Sequence, residues 1–373
     1  MLEEAYNSNK QRIFIFAPAG IVTGGVELLH QLCDVYNKNG KDAYVVYYGN
    51  EPKEIPNDYK KYNIKQCDSS EILDNENNII VVPEVRLGLL NNFKCIKAIV
   101  WWMSVDNYYS ALQANCFSSF NYYWRIDRLK ALGNFLRKIF RRHYYPTYTL
   151  SKLRNNKNVI FNVYQSEYAK SFLVKHKIQN TAPLSDYINQ EYFFSEDNFF
   201  EKEDSILYNP KKGLRFTKQL IKMAPELHWV PIQNMTRAQV KETMLKSKLY
   251  IDFGHFSGKD RMPREAAMCG CCIITGKLGA AGFKEDLDID ESKYKFNQTK
   301  RDIPKILQSV RNILENYTTA INDFSYYREK IIREKNEFEH DAMIILKILN
   351  YTGGGYKCKV VSPIYADPST MCA

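Results

Sequence analysis

The chain has 373 residues, with 52 Lys and Arg against 42 Asp and Glu for a formal net charge of +10, and it is 45% apolar and 25% charged. That length suits two domains, each with its own core, and that composition excludes a disordered or collagen-like chain. No run reaches the roughly 18 apolar residues that span a bilayer, the first residues lack the features of a secretory signal, and nine irregularly spaced cysteines read as buried thiols rather than a disulfide framework. The expected location is the cytosol.

An apolar run at 13–17, a loop holding Gly20, Gly24 and Gly25, and a helical pattern through Val26, Leu28, Leu29, Leu32 and Cys33 read as strand, glycine loop and helix. Short runs at 43–47, 79–82 and 98–103 are apolar on both faces, as strands of a parallel sheet covered by helices must be. Residues 121–157 then gather ten Lys or Arg against the single acid Asp127, which accounts for most of the net charge. On a helical wheel Ile126, Leu129, Leu132, Phe135, Leu136, Ile139 and Phe140 share one side, and Lys130, Arg137, Lys138, Arg141 and Arg142 the other. Such a basic amphipathic helix is either a core helix with a solvated face or a contact for an anionic membrane surface, made by Arg137, Lys138, Arg141 and Arg142. No nucleic-acid motif accompanies the charge, so nucleic acid is not an expected partner.

A strand at 159–163 and a helix at 167–176 close the first half, residues 183–189 cross into a second lobe, and 190–204 read as a linker. Strand and helix then alternate: strands at 205–208, 228–232, 249–253 and 272–275, with helices at 217–223, 237–247 and 263–269 between them. That is the rhythm of a doubly wound lobe. A long amphipathic helix at about 320–349 and a Gly- and Pro-containing tail finish the chain. No internal repeat is present.

The chemistry concentrates at 235–282. Met244-Leu-Lys-Ser-Lys-Leu-Tyr-Ile-Asp-Phe253 followed by Pro263-Arg-Glu-Ala-Ala-Met-Cys-Gly-Cys-Cys-Ile-Ile274 resembles the donor lobe of GT-B glycosyltransferases, in particular the large retaining group with two glutamates eight positions apart. Gly258, Pro263, Glu265, Ala266, Cys269 and Gly270 match that pattern. The resemblance implies that Glu265 holds the nucleotide ribose, a task for a carboxylate that accepts two hydroxyl protons; a first-turn acid complementing the helix dipole is the structural alternative. The first glutamate is replaced by Ser257, with His255 and Asp260 flanking the gap as substitutes. Tyr208-Asn-Pro-Lys-Lys-Gly213 resembles the family's diphosphate loop, so Lys211 and Lys212 are the phosphate candidates, with Arg261 and Arg264 as further cations; a solvated turn is the alternative. Thr23-Gly-Gly-Val-Glu27 resembles the Gly-Gly-x-Glu loop of the same enzymes, which implies that Gly24 and Gly25 are donor-binding and lie where acceptor and donor meet, bare backbone letting a ligand approach closely. It lacks the dinucleotide-binding spacing, which speaks against a dehydrogenase.

Glu84 and Asp106 follow strands whose carboxyl ends face the ligand crevice of an open parallel sheet, and with His255 they are the catalytic candidates. The segment Trp101 to Tyr109 reads as either an acceptor wall or core. Cys269, Cys271 and Cys272 lack zinc-site spacing, so no metal and no cofactor is expected. The expected fold is α/β, two Rossmann-like lobes (GT-B) with a cleft between them and the C-terminal helix returning across both. Residues 1–189 would form the acceptor lobe, with the basic insertion at about 121–157; 190–204 the linker; 205–318 the donor lobe; 319–350 the helix; and 351–373 a loose tail. The implied activity is transfer of a sugar from a nucleotide-sugar donor to a glycan or lipid-linked acceptor in bacterial surface polysaccharide synthesis, on the inner membrane face. A nucleotide-sugar epimerase of similar fold and a non-catalytic scaffold remain the alternatives.

Overall fold

The computed structural model describes residues 11–49, 51–111, 128–129, 132–133, 135–136, 148–193 and 202–351. The chain divides into two units. One comprises residues 1–165, 169–184 and 338–373, and the other residues 166–168 and 185–337. The basic residues Arg137, Lys138, Arg141 and Arg142 and the tail at 352–373 lie outside the described residues.

In the first unit, β1 (Ile13–Pro18), β2 (Ala43–Tyr48), β3 (Lys65–Gln66), β4 (Ile79–Pro83), β5 (Lys97–Trp102), β6 (Val159–Tyr164) and β7 (Thr181–Pro183) form one parallel sheet in the order β3-β2-β1-β4-β5-β6-β7. The unbroken apolar runs are explained by burial on both faces: Phe14, Ile15, Phe16, Val45, Val46 and the whole of Ile79–Val82 are in the core. Helix α1 (Gly24–Lys38) covers the sheet with Leu28, Leu29, Leu32 and Val35. The chain reverses direction across the sheet between β1 and β4, where an open α/β sheet has its crevice.

Trp101 and Trp102 are both fully buried, which decides for core over acceptor wall. Trp101 donates its indole N–H to the Leu184 carbonyl at 3.0 Å and stacks on Phe338 at 6.1 Å between centroids. Trp102 donates to Asn162 Oδ1 at 3.3 Å, so each indole satisfies its polar edge inside the core.

In the second unit, β8 (Glu203–Tyr208), β9 (His228–Pro231), β10 (Ser247–Asp252) and β11 (Cys272–Thr275) form a parallel sheet ordered β11-β10-β8-β9. The strand order reverses between β8 and β10, so the loops after these two strands flank that unit's crevice. Those loops lead into α5 (Leu214–Met223) and α7 (Arg261–Met268), the helices before α5 being α2 (Val105–Ala111), α3 (Leu150–Asn155) and α4 (Glu167–Lys175), with α6 (Arg237–Lys246) preceding β10. Lys202 donates to the carbonyls of Met244, Ser247 and Cys269, closing the carboxyl ends of α6 and α7 with one ammonium group. A helix at Ile303–Glu315, not foreseen from the sequence, buries Ile303, Ile306, Leu307, Val310, Ile313 and Leu314 at the 3–4 spacing of an amphipathic helix. The long helix Ser325–Tyr351 begins among second-unit residues, and its residues from Phe338 onward count with the first.

Cys33, Cys67, Cys269, Cys271 and Cys272 are free thiols. Cys95 is disulfide-bonded, so the expectation of wholly reduced cysteines does not hold at that position. Among the described residues no helix is long and apolar enough to cross a membrane.

Candidate functional site

The carboxyl edge of the second sheet is built from three loops that touch through backbone. Gly213, at φ +63°, sits so close to the next loop that a Cβ there would lie 2.3 Å from the Phe253 carbonyl carbon and 2.6 Å from the Gly254 nitrogen. Gly279, at φ +67°, would place a Cβ 2.0 Å from the Phe256 oxygen. Gln298 donates to the Phe253 carbonyl at 2.7 Å. Glycine is required at 213 and 279 on both counts, conformation and space.

This packing brings two helix N-termini together. Gly213 is the N-cap of α5 and Asp260 the N-cap of α7, and neither end receives a side-chain capping hydrogen bond. Lys212, the residue before the first cap, pairs with Asp260, the second cap, with Nζ 2.5 Å from Oδ2. Uncapped amides, two positive helix ends and a lysine therefore converge at one point, the composition of an anion site. Lys211 is exposed beside it, its amide held by Asn209 Oδ1 at 3.0 Å.

Asp252 closes β10 beneath this point. It accepts from the Gly254 amide at 2.7 Å and from the Tyr250 hydroxyl at 2.9 Å. Burial, helped by the charge of Asp260, pushes its carboxyl up to about 6. Glu265 lies half-buried on α7, and its charge adds to burial in pushing the phenols of Tyr192 and Tyr250 up. His255 packs edge-on to Tyr168, with Nε2 3.5 Å from the hydroxyl.

Arg264 takes another place than the one its sequence position suggested. Its guanidinium is 0% exposed and lies 2.7 Å from both Asp186 and Glu334. It also donates to the carbonyls of Lys259 at 3.1 Å and Asp260 at 3.2 Å. Arg261 reaches Asp186 at 3.4 Å, and Lys259 reaches Glu334 at 2.6 Å. Burial alone would push the Asp186 carboxyl up, but the three cations outweigh it and hold it below the usual carboxylate range. A buried guanidinium engaged on four sides anchors the loop before α7 and has no face left for a donor.

In the first unit, Thr23 caps α1 by accepting from the Val26 amide at 3.4 Å, and Gly24 and Gly25 form the helix's first turn. A Cβ on Gly25 would meet nothing within 4 Å. Glu27 is buried against the Tyr62 hydroxyl at 2.8 Å and Lys61 at 3.2 Å. Glu84 is at the end of β4 as the sequence indicated, but it is buried, with its two oxygens accepting from the Met103 and Ser104 amides at 3.1 Å. Burial outweighs these amides and pushes its carboxyl up to about 8. In this position Glu84 braces the turn after β5, a part different from the substrate-facing one expected of it. Asp106 is buried in the first turn of α2.

The sequence reading missed Asp252, Asp186, Glu334 and Gln298. Asp252 was within reach of the strand-end rule that singled out Glu84 and Asp106, whereas Asp186 and Glu334 lie 78 and 70 residues from Arg264 in the chain and carry no local signal. Among the described residues no three His, Cys, Asp or Glu side chains are placed to hold a metal ion. Cys269, Cys271 and Cys272 are fully buried, and burial pushes the Cys269 thiol up to about 12, as for small core residues.

No family model matches the sequence, and no curated protein matches it. Solved structures do. Sucrose-phosphate synthase from Thermosynechococcus elongatus superposes with a TM-score of 0.63 at 10% identity, over 92% of this chain and 99% of that one. Anabaena HepE in complex with UDP-glucose gives 0.55 at 11% identity over 91% and 98%. An alpha-glucosyltransferase in complex with UDP and a 13-mer DNA gives 0.53 at 11% identity over 91% and 100%. The fold is GT-B. It is carried here by a seven-stranded and a four-stranded parallel sheet, and the switch point of the smaller GT-B sheet holds the Lys212 and Asp260 site.

Proposed function

We propose that this GT-B chain is a glycosyltransferase that holds a nucleotide-activated sugar on its second unit and transfers the sugar to a glycan or lipid-linked acceptor. The observation that carries the reading is the meeting of the uncapped N-termini of α5 and α7 at Lys212. A diphosphate needs several fixed donors and a positive field, and this point supplies both without a metal. Glu265 on α7 would take the ribose hydroxyls, and Lys211 and Arg261 are secondary cations of the same edge. Gly24 and Gly25, with open space over Gly25, and Asp106 are the first-unit groups proposed for the acceptor. His255, beside Tyr168, would stand in for the carboxylate that Ser257 replaces.

The test is calorimetry and thermal shift with UDP, GDP, CMP, ADP and dTDP and their sugar conjugates, without metal and then with magnesium. One nucleotide should bind clearly, and Glu265→Gln should weaken it by roughly tenfold or more, since hydrogen bonds to a charged group contribute about 1.5–3 kcal/mol. A folded protein that binds none of them is a scaffold. Release of free or isomerised donor without an acceptor would mark an epimerase.

The basic stretch at 121–157 gives the reading a setting. Of its apolar wheel positions, Leu129, Leu132 and Leu136 are 75%, 46% and 45% exposed, as a face that enters a lipid surface would be. A surface-glycan role at the inner membrane face follows if the acceptor is lipid-linked.

A further inference from the structure

We propose that Asp260 is a built-in counter-anion for Lys212, occupying the phosphate's place in the ligand-free protein and withdrawing to cap α7 when a diphosphate arrives. This rests on the second unit being the donor site.

Asp is among the strongest N-cap residues, and the backbone of Asp260, at φ −64° and ψ 138°, is in the extended region typical of a cap. Its side chain nevertheless makes no capping hydrogen bond and reaches Lys212 instead, at 2.5 Å. Pro263 supplies no N–H, so the Met262 amide is the partner Asp260 forgoes. The carboxylate thus has two competing positions a side-chain rotation apart.

The backbone cannot make the choice. Arg264 holds the Lys259 and Asp260 carbonyls and is itself fixed by Asp186 and Glu334. What remains to move is the side chains of the pair, Lys212 being 36% and Asp260 20% exposed. The buried Asp252 feels the charges of both Asp260 and Lys212, which places two acids around one lysine. A monoanionic carboxylate is displaced by a more highly charged diphosphate, and it re-pairs as the product nucleotide leaves. The pairing lowers apparent affinity by the fraction of time Lys212 is occupied, and it speeds release of product by the same competition.

The test is calorimetry with inorganic pyrophosphate and with UDP on the full chain, for wild type, Asp260→Asn, Lys212→Met and the double variant. Thermal unfolding confirms that each is folded. Asp260→Asn should bind about three- to tenfold tighter, from removal of a partly solvated carboxylate beside the anion, with slower dissociation, and the gain should vanish in the Lys212→Met background. Equal or weaker binding by Asp260→Asn overturns the proposal while leaving the donor reading intact. An independent readout needs no nucleotide: in denaturant unfolding the effects of Asp260→Asn and Lys212→Met should be non-additive, the double variant losing less than the two single losses together, as for residues in direct contact. Additive losses sink the pair itself, whereas a coupled pair with no binding of either probe by any variant sinks the donor reading and the phosphate role with it.

Discussion

Gly213 and Gly25 separate two uses of glycine within one molecule. At Gly213 the positive φ and the 2.3 Å approach to the Phe253 backbone leave a methyl group nowhere to go. Gly213→Ala should cost about 1–3 kcal/mol from backbone strain alone, visible as a lowered Tm, together with a looser anion site. Gly25→Ala should hold or raise Tm, since it stands in a helix with open space around it and alanine favours helix by about 1 kcal/mol. A loss of activity in that stable variant would show that a ligand, not the protein's own packing, needs the bare backbone there.

Asp252 gives the same edge a pH dependence. Its carboxyl, pushed up to about 6, is neutral below that pH and negative above it. A negative charge beneath the phosphate site opposes an anionic donor, so affinity for a nucleotide-sugar should rise as pH falls from 7 through 6. The diester diphosphate of such a donor does not itself titrate in this range. Because the folded protein binds this proton more tightly than the unfolded chain, stability should fall as pH rises from about 4 to about 6. Asp252→Asn should flatten the affinity profile, measured by calorimetry, and lessen the fall in Tm, to which Glu84 and Asp286, also pushed up by burial, contribute as well. A wild-type affinity profile without a slope between pH 5 and 7 would remove Asp252 from the phosphate's surroundings.

At the scale of elements, the segment before α7 is held by charge. Lys259, Arg261 and Arg264 face Asp186 and Glu334, one carboxylate fewer than cations, with Arg264 wholly inside. Removing a partner from such a cluster leaves an uncompensated buried charge. Glu334→Gln should therefore cost about 3–5 kcal/mol in denaturant unfolding, whereas Glu337→Gln on the exposed side of the same helix should stay within about 0.5 kcal/mol. Similar losses from the two would mean that the cluster contributes no more than the surface. The role of Arg264 changed between sequence and structure for this reason. A cation next to a motif looks like a ligand group until its distant carboxylates are seen, and neither Asp186 nor Glu334 is near it in the chain.

At the scale of the whole molecule, charge is distributed so that residues 121–157 hold nearly all of the excess. If that stretch meets an anionic membrane, each cation near the surface contributes about 1 kcal/mol. Replacing Arg137, Lys138, Arg141 and Arg142 by Gln should then weaken binding to phosphatidylserine-containing vesicles on the order of a thousandfold. Vesicles of phosphatidylcholine alone should bind neither protein well. Equal vesicle binding by both proteins, or retention of a DNA oligomer by the wild type in preference to vesicles, would turn the stretch toward another partner.

The sequence by itself determined the architecture. Short runs apolar on both faces, spaced by helical patterns, admit little besides parallel sheets covered on both sides, and the strands at 13–17, 43–47, 79–82, 159–163 and 272–275 follow from that rule. It also singled out Lys212, Asp260 and Glu265 as candidates, because they sit in loops and helix starts that follow strands. What only the tertiary structure decided was how those residues are used. Trp101 and Trp102 became core, Glu84 a brace for two amides, Arg264 a buried anchor and Asp260 the partner of Lys212. The reason is physical: hydrophobic periodicity is local and survives in a window of ten residues, whereas the fate of a charge depends on which opposite charge lies within 4 Å after folding, and that is a property of distant segments.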